Sequence, residues 1–301
     1  MAGMLTQSAV ATQRRLFGVS LTTVLALFSV WIVWGTVYIF VRYAIQTIPV
    51  LMMNGTRFIV AGLSLLAYLR WQGTPWPTLA QARNAALLGF LLNALCQGSV
   101  AMAQLYIPAG MAAVIVATSP FWIVLAAVPV LGWPGRAEWI GIAIGFAGVM
   151  LLIREPSLAG QPIGIGLVIF GMVIWAIGSA LARKLDLPKG MMSTAVQLAC
   201  GGVILTAVSL LAGEHWPPHS SLISGISWVY LVFIGSILGF GSYLYTLKHV
   251  RPALASAYAY INPLVALGLS ALLFGETVSA QGVLAIVVIL SGVIFMSRGR
   301  R

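Results

Sequence analysis

Residues 254–267 read LASAYAYINPLVAL, a stretch in which two tyrosines and an Asn-Pro pair interrupt an otherwise apolar segment. Proline removes one backbone donor and frees the carbonyl one turn earlier, which for Pro263 is the carbonyl of Ala259. In hydrocarbon a freed carbonyl must find a partner or line a wet cavity. The stretch therefore predicts a membrane-crossing helix that borders a polar space.

The composition is that of a polytopic membrane protein. Hydrophobic residues make up 60% of the 301 residues and charged residues 7%, whereas soluble domains carry about 25% charged residues. The net charge of +11 is spread over short intervals between apolar runs, which indicates membrane topology rather than nucleic-acid binding. Cys96 and Cys200 lie within apolar runs and match no disulfide or metal-ligand spacing, so neither a metal site nor a cofactor is predicted.

Ten apolar runs are candidates to cross the roughly 30 Å of hydrocarbon in a bilayer. We therefore predict an all-α membrane protein with ten transmembrane helices. The fifth run is the shortest and reaches across only if its helix begins near Arg136. The ten predicted runs cover residues 16–41, 50–69, 85–106, 109–131, 139–153, 163–182, 191–211, 228–247, 252–274 and 281–296.

The basic residues favour one orientation. If the N-terminus is cytoplasmic, all but three of the 16 Lys and Arg residues face the cytoplasm. The exceptions are Arg42 and Arg154, which face outward, and Arg57, which lies inside the second run. Positively charged loops stay on the cytoplasmic side of a membrane. We therefore predict an integral protein of the plasma (inner) membrane with both termini cytoplasmic.

The two halves of the chain align with each other at a nearly constant shift. AYAYINPLVAL (257–267) falls on VIVATSPFWIV (114–124), so that Pro263 pairs with Pro120. VIWAIGSALARK (173–184) falls on IVWGTVYIFVRY (32–43). This self-similarity predicts an internal duplication. The predicted parts are a first five-helix repeat over residues 1–153, a connecting loop over 154–162 and a second five-helix repeat over 163–301.

An odd number of helices in each repeat has a mechanical consequence. The second repeat re-enters the membrane upside down, so the halves are predicted to form an inverted pair about an axis in the membrane plane. Such pairs recur in secondary transporters, whose sites lie near the midplane between the repeats. Pro120 and Pro263 are the matching interruptions and the predicted hinges; a kink that serves only packing is the structural alternative.

Several motifs resemble a known family. The pattern INPLVALGLSALLFGETVSAQGVLAIVVILSGVIF (261–295), with Gly275 and Glu276, and the motif NGTRF (54–58) resemble the drug/metabolite transporter superfamily, specifically its EamA-type exporters. The first half departs from the family pattern, because Trp133 stands where the family usually has an acidic residue. Within the superfamily the chain is most similar to amino-acid exporters, including those for aromatic amino acids. The resemblance implies a transporter, and no nucleophile–base pair or metal motif indicates an enzyme.

The charged residues limit what can enter the predicted cavity. All five acidic residues fall at span ends or in loops, which disfavours a carboxylate-coupled multidrug antiporter and favours facilitated efflux, with proton coupling left open. Arg57 can contact a substrate carboxylate, or it can snorkel outward or bind carbonyls between helices. Its place near the outer end of its run favours the structural role, and we therefore predict an uncharged cavity.

Amide, hydroxyl and aromatic groups near mid-depth can hold a zwitterion. The predicted function is export of amino acids and related small metabolites by alternating access, performed by a monomer or weak dimer. Two alternatives are open, an exporter of drugs or lipophilic cations and a channel-like pore. For any single aromatic residue, core packing is the structural alternative. The predicted substrate-binding residues are Trp34, Tyr38, Asn93, Gln97, Thr118, Ser119, Trp175, Ser179, Tyr243, Tyr258, Tyr260 and Asn262.

Overall fold

The computed structural model describes residues 15–16, 19–126, 128, 133–154, 161–250 and 258–298. A short antiparallel pairing of β1 (Arg15–Leu16) with β2 (Val19–Ser20) precedes a bundle of helices. The helices are α1 (Leu21–Ala44), α2 (Val50–Trp71), α3 (Leu79–Leu88), α4 (Gly98–Ala103), α5 (Ala109–Val116), α6 (Ser119–Ala126), α7 (Arg136–Ile153), α8 (Pro162–Ala182), α9 (Met191–Leu211), α10 (Leu222–Tyr230), α11 (Gly239–His249), α12 (Tyr258–Phe274) and α13 (Ala280–Arg298).

Seven helical segments in the described ranges are long and apolar enough to cross a membrane. Two shorter apolar helices, Ile261–Phe274 and Ala280–Phe295, follow them, and α7 adds 18 residues that begin at Arg136 as the fifth predicted run requires. Parts of the fourth and ninth predicted runs, residues 127, 129–131 and 252–257, lie outside the described residues. The seven segments are Leu21–Ala44, Val50–Trp71, Leu79–Ala103, Ala109–Ala126, Pro162–Ala182, Met191–Leu211 and Leu222–Thr246.

Two predicted starts are corrected by serine caps. Helix α1 begins at Leu21 rather than near residue 16, because the Ser20 hydroxyl accepts a hydrogen bond from the Thr23 backbone N–H at 3.2 Å. Helix α10 begins at Leu222 rather than near residue 228, because Ser221 accepts from the Ser224 N–H, also at 3.2 Å. A serine in this position satisfies a donor that the first turn leaves unpaired.

Two membrane segments contain long π-helical stretches that the apolar pattern does not predict. Gly89–Gln97 joins α3 to α4, and Leu231–Leu238 joins α10 to α11. π-Helical turns are rare in proteins, and those that exist are often found at functional sites. The two stretches begin 142 residues apart, which falls between the shifts of 141 and 143 that align the two halves in sequence.

The main helix pairs join one half of the chain to the other. Helix α2 packs along α9, and α7 packs along α13. Helix α1 packs against α12 and against α10 and α11, while α8 makes the corresponding contacts with α5 and α6 and with α4 and the π-helical stretch before it. The two halves are therefore interleaved and are not separate lobes.

Glycines allow the closest of these contacts. A Cβ atom added at Gly202 would lie 2.5 Å from the Ile59 backbone nitrogen, and one added at Gly62 would lie 2.4 Å from the Ala199 nitrogen. In the other pair, a Cβ at Gly292 would lie 2.7 Å from the Gly145 nitrogen. Small residues let membrane helices approach backbone to backbone. Both the α2–α9 and the α7–α13 interface depend on this close approach.

Two acidic residues at helix ends stabilise the starts of other helices. Glu214, which follows α9, accepts hydrogen bonds from the Met52 N–H in the first turn of α2 at 3.0 Å and from the Ser209 hydroxyl at 2.8 Å. Glu276 accepts from the Ser270 hydroxyl, whose oxygen accepts in turn from the Gly110 N–H of α5 at 3.3 Å. Negative charge is favourable at a helix N-terminus, so both carboxylates stabilise the fold.

We expect Glu214→Ala to lower the free energy of unfolding by about 1 kcal/mol, because Pro49, at the N-cap of α2, makes no side-chain capping bond and Glu214 replaces it. The measurement is the midpoint of thermal unfolding in detergent, with a decrease of about 2–4 °C. His215→Ala is the control, since this neighbour is exposed. Equal midpoints for the two variants would contradict the capping role.

Candidate substrate cavity

An open cavity lies among helices of both halves, with about 950 Å³ of empty space that includes the space at its mouth. Both π-helical stretches reach its wall, the first through Cys96 and Gln97 and the second through Gly235. The lining residues are Trp34, Val37, Tyr38, Val41, Asn54, Arg57, Cys96, Gln97, Val100, Ala101, Gln104, Val116, Ser119, Met172, Trp175, Gly235, Phe240, Tyr258 and Asn262.

Seven of the predicted substrate-binding residues meet at this cavity. They come from five separate parts of the chain, and two pairs, Trp34 with Tyr38 and Tyr258 with Asn262, share a helix face at a spacing of four residues. Their role in substrate binding stays a prediction, and their shared position at one cavity agrees with it. The seven are Trp34, Tyr38, Gln97, Ser119, Trp175, Tyr258 and Asn262.

Four other predicted residues do not line the cavity. The Thr118 hydroxyl is buried and donates to the Ile115 carbonyl at 2.6 Å. Asn93 is buried beside Gly201 of α9, where an added Cβ would lie 2.7 Å from the Asn93 Cβ. Ser179 and Tyr243 also lie outside the wall. The side chain of the fifth, Tyr260, is outside the described residues.

Aromatic rings form one side of the cavity, and Tyr243 supports them from behind. The Trp34 ring lies 5.1 Å from that of Tyr258 in an edge-to-face arrangement and 5.7 Å from that of Phe240. Tyr243 packs 5.0 Å from Trp34 and 5.7 Å from Tyr258. Such pairs are favourable geometries for aromatic side chains. We call Trp34, Phe240, Tyr243 and Tyr258 the aromatic cluster.

The Asn-Pro pair of the opening stretch joins two helices. With its side-chain amide oriented to satisfy both groups, Asn262 donates to the Trp31 carbonyl of α1 at 2.8 Å and to the Tyr258 carbonyl at 3.2 Å. Pro263 is buried inside α12, which continues past it. Asn262 thus links α12 to α1 at the edge of the cavity, next to the proline.

The matching proline in the first half does break its helix. Helix α5 ends at Val116 and α6 begins at Ser119, with Pro120 as its second residue. A tight turn joins them, in which the Phe121 N–H donates to the Thr118 carbonyl at 2.9 Å. Both Val116 and Ser119 line the cavity. The two prolines therefore differ in local effect, and their role as hinges stays a prediction.

Arg57 corrects the prediction of an uncharged cavity. Its side chain is only 4% exposed and lies in the cavity wall. Its Cζ lies 4.4 Å from the centre of the Phe58 ring, while Nε and Nη1 have no hydrogen-bond partner. A position near the outer end of a run suggested a snorkelling side chain, but the cavity extends to that depth. Arginine keeps its charge in proteins, so the wall carries a fixed positive charge.

Two further polar residues of the wall were missed in the sequence. Asn54 and Gln104 are each 1% exposed, and Asn54 Nδ2 and Gln104 Oε1 have no hydrogen-bond partner. A signal for Asn54 existed, because it precedes Arg57 by three residues and so shares its helix face. Gln104 follows the end of α4, where no periodic pattern indicates its direction.

No described acidic residue balances this charge in the cavity. Glu214 and Glu276 bind helix starts, Glu138 lies in the first turn of α7, and Asp186 accepts from the Gln81 side chain at 3.2 Å. Within the ranges that the structure covers, the wall therefore combines one guanidinium, amides, hydroxyls and aromatic rings.

An apolar helical bundle with a polar and aromatic cavity between its halves is typical of one class, the membrane transporters. The sequence model of the EamA-like transporter family matches residues 21–154 and again residues 162–298, and the chain belongs to this family. The resemblance to EamA-type exporters of the drug/metabolite transporter superfamily is thus confirmed. The family is one of transporters.

The sequences of known proteins align with most of the chain. The inner membrane transporter YedA of Escherichia coli (strain K12) is 41% identical over 277 residues, which cover 91% of this chain and 90% of YedA. A probable amino-acid metabolite efflux pump of Salmonella typhimurium is 27% identical over 286 residues, covering 90% of this chain and 94% of the pump. A crystal structure superposes with a TM-score of 0.63 at 18% identity over 93% of this chain and 99% of its own, which shows a shared fold.

Proposed function

We propose that this protein exports amino acids and related small metabolites across the plasma (inner) membrane by alternating access, with the cavity as the substrate site. The observation that carries the proposal is a cavity wall that combines one unpaired cation, unpaired amides and exposed aromatic faces. The relatives support it, since one is named an inner membrane transporter and another a probable amino-acid metabolite efflux pump.

The proposed architecture is ten transmembrane helices in two inverted five-helix repeats, residues 1–153 and 163–301, with both termini cytoplasmic. Three observations support it. The family model matches once in each half. Helices at corresponding positions in the two halves, α1 and α8, pack against corresponding helices of the other half. The π-helical stretches recur at the repeat spacing. Alternating access follows if the two repeats rock against each other around the cavity.

The chemistry of the wall suits an amino acid better than a lipophilic cation. Amides and hydroxyls can bond a carboxylate and an ammonium, and Trp34, Trp175 and Tyr258 offer faces for an apolar or aromatic side chain. A fixed positive charge that no described carboxylate balances repels a cationic drug. Arg57 therefore favours metabolite export over the drug-export alternative.

Counterflow in proteoliposomes tests the proposal. Liposomes preloaded with unlabelled L-phenylalanine or L-leucine are expected to take up the labelled compound saturably, and other unlabelled amino acids to compete. Protein-free liposomes are the control. Competition by tetraphenylphosphonium but by no amino acid would show that the substrates are lipophilic cations instead. Flux that rises linearly with concentration would show a pore. Running the assay with and without a proton gradient separates coupled from facilitated transport.

A further inference from the structure

We propose that Arg57, Asn54 and Gln104 form a carboxylate pole of the cavity, which selects monocarboxylates that carry a hydrogen-bond donor beside the carboxylate. α-Amino acids and α-hydroxy acids are the chemical classes that fit. The proposal rests on the proposed function and names the part of the substrate that is recognised. The aromatic rings of the wall, those of Trp34, Phe240 and Tyr258, then accept the side chain.

The pole consists of buried polar groups without partners. Arg57 is 4% exposed with Nε and Nη1 unpaired, and Asn54 is 1% exposed with Nδ2 unpaired. Buried donors in folded proteins are nearly always hydrogen-bonded, and exceptions call for an explanation such as a ligand. A charged group inside a membrane protein is costly and usually marks a substrate or ion pathway.

The donors point to an anionic ligand. Asn54 and Arg57 are three residues apart on α2 and both line the cavity, so they reach the same ligand group. A guanidinium matches the planar geometry of a carboxylate and forms strong charge-assisted hydrogen bonds with it. The centre of the Phe58 ring lies 4.4 Å from the guanidinium carbon, so the ring supports the guanidinium on an apolar surface.

Gln104 adds the requirement for a donor in the ligand. Its Oε1 is an unpaired acceptor in the same wall, while its backbone carbonyl is held by a hydrogen bond from Arg42. An ammonium or hydroxyl next to the carboxylate can donate to Oε1. A simple anion such as chloride satisfies Arg57 but leaves this acceptor unpaired, which favours an organic acid with an adjacent donor.

Matched ligands test the pole in the wild-type protein. Binding of L-phenylalanine and L-leucine to the full-length protein in detergent is measured by tryptophan fluorescence, since Trp34 and Trp175 lie in the wall. Each acid is compared with its methyl ester, which lacks the negative charge. The acids are expected to bind roughly 10- to 100-fold more tightly than the esters, the range for losing a hydrogen bond to a charged group. Equal binding of acid and ester, or no binding of either, overturns the proposal.

Variants assign the preference to the named residues. Arg57→Gln is expected to remove the preference for acid over ester by weakening the acid, while Arg57→Lys restores part of it. Gln104→Leu is expected to reduce the preference for L-phenylalanine over 3-phenylpropionate, which lacks the donor. Arg70→Gln is the control, because it removes a cation from the far end of the same helix. A preference that survives Arg57→Gln overturns the pole.

Failure of the pole and failure of the proposed function give different results. If acids and esters bind equally and amino-acid counterflow persists, the protein exports amino acids without a carboxylate pole. If only tetraphenylphosphonium binds, both proposals fail. Because the comparison of acid and ester uses the wild-type protein, it holds even if Arg57→Gln does not fold.

Discussion

Gly202→Leu is expected to prevent accumulation of folded protein in the membrane. An added Cβ would lie 2.5 Å from the Ile59 nitrogen and 2.7 Å from the Gly55 carbonyl oxygen, both of them backbone atoms of α2. Backbone cannot move aside as a flexible side chain can, so the two helices must separate. Overpacking typically costs about 1–3 kcal/mol, and we expect at least ~3 kcal/mol here, because the contacts of Gly55 and Gly62 separate with it.

Two variants make the result specific to this interface. Gly202→Ala is expected to give an intermediate loss, because its single methyl group already meets the backbone of α2. Gly268→Leu is the matched control, since Gly268 is also helical and an added Cβ meets no atom within 4 Å. The measurement is the yield of monodisperse protein on size-exclusion chromatography together with the unfolding midpoint. Equal yields for Gly202→Leu and Gly268→Leu would refute the close-packing account.

Replacing Pro120 and Pro263 together by alanine is expected to slow transport about 30-fold while the protein stays folded and binds substrate normally. Each alanine restores a backbone donor and allows a hydrogen bond to the carbonyl one turn earlier, at Val116 or Ala259. A hydrogen bond stabilises the continuous helix by about 1 kcal/mol, so the pair adds about 2 kcal/mol to the barrier if the helices bend during transport.

Each single variant should slow transport about 5-fold, since each restores one hydrogen bond of about 1 kcal/mol. Helix α5 ends before Pro120, whereas α12 continues through Pro263, so only Pro120→Ala should also join two separate helices. The measurement is the counterflow rate in proteoliposomes at saturating substrate. Pro162→Ala is the control, because this proline is the first residue of α8 and is exposed. A double variant as fast as this control would remove the hinge role.

The extent of the membrane helices could be read from the sequence because it depends on composition along the chain. The seventh predicted run, 191–211, coincides with α9, and the sixth differs from α8 by one residue at its start. The errors occur where local hydrogen bonding decides, as at the capping residues Ser20 and Ser221. The π-helical stretches could not be predicted from the sequence, because these segments are apolar on most sides. An apolar pattern without a polar face does not show the number of residues per turn.

The sequence indicates how deep in the membrane each candidate site residue lies, but not toward which neighbour its side chain points. Trp34 and Tyr38 could be placed on the same side of α1 because residues at a spacing of four share a helix face, and both line the cavity. Thr118 lies near mid-depth as well, yet it points to the Ile115 carbonyl rather than into the cavity. Arg57 shows the opposite error, since its position along α2 indicated the surface while its direction brings it into the wall. Which neighbour each face meets depends on packing between distant parts of the chain.

The two π-helical stretches also bear on how the two halves are related. A π-helical hydrogen bond joins residues five apart, one more than an α-helical bond. Gly89–Gln97 and Leu231–Leu238 occupy equivalent places. If the chain arose by copying one unit, a wide turn shared by both halves is older than the copying. The residues that align with Arg57, near Ala199, are uncharged, so this charge belongs to only one half.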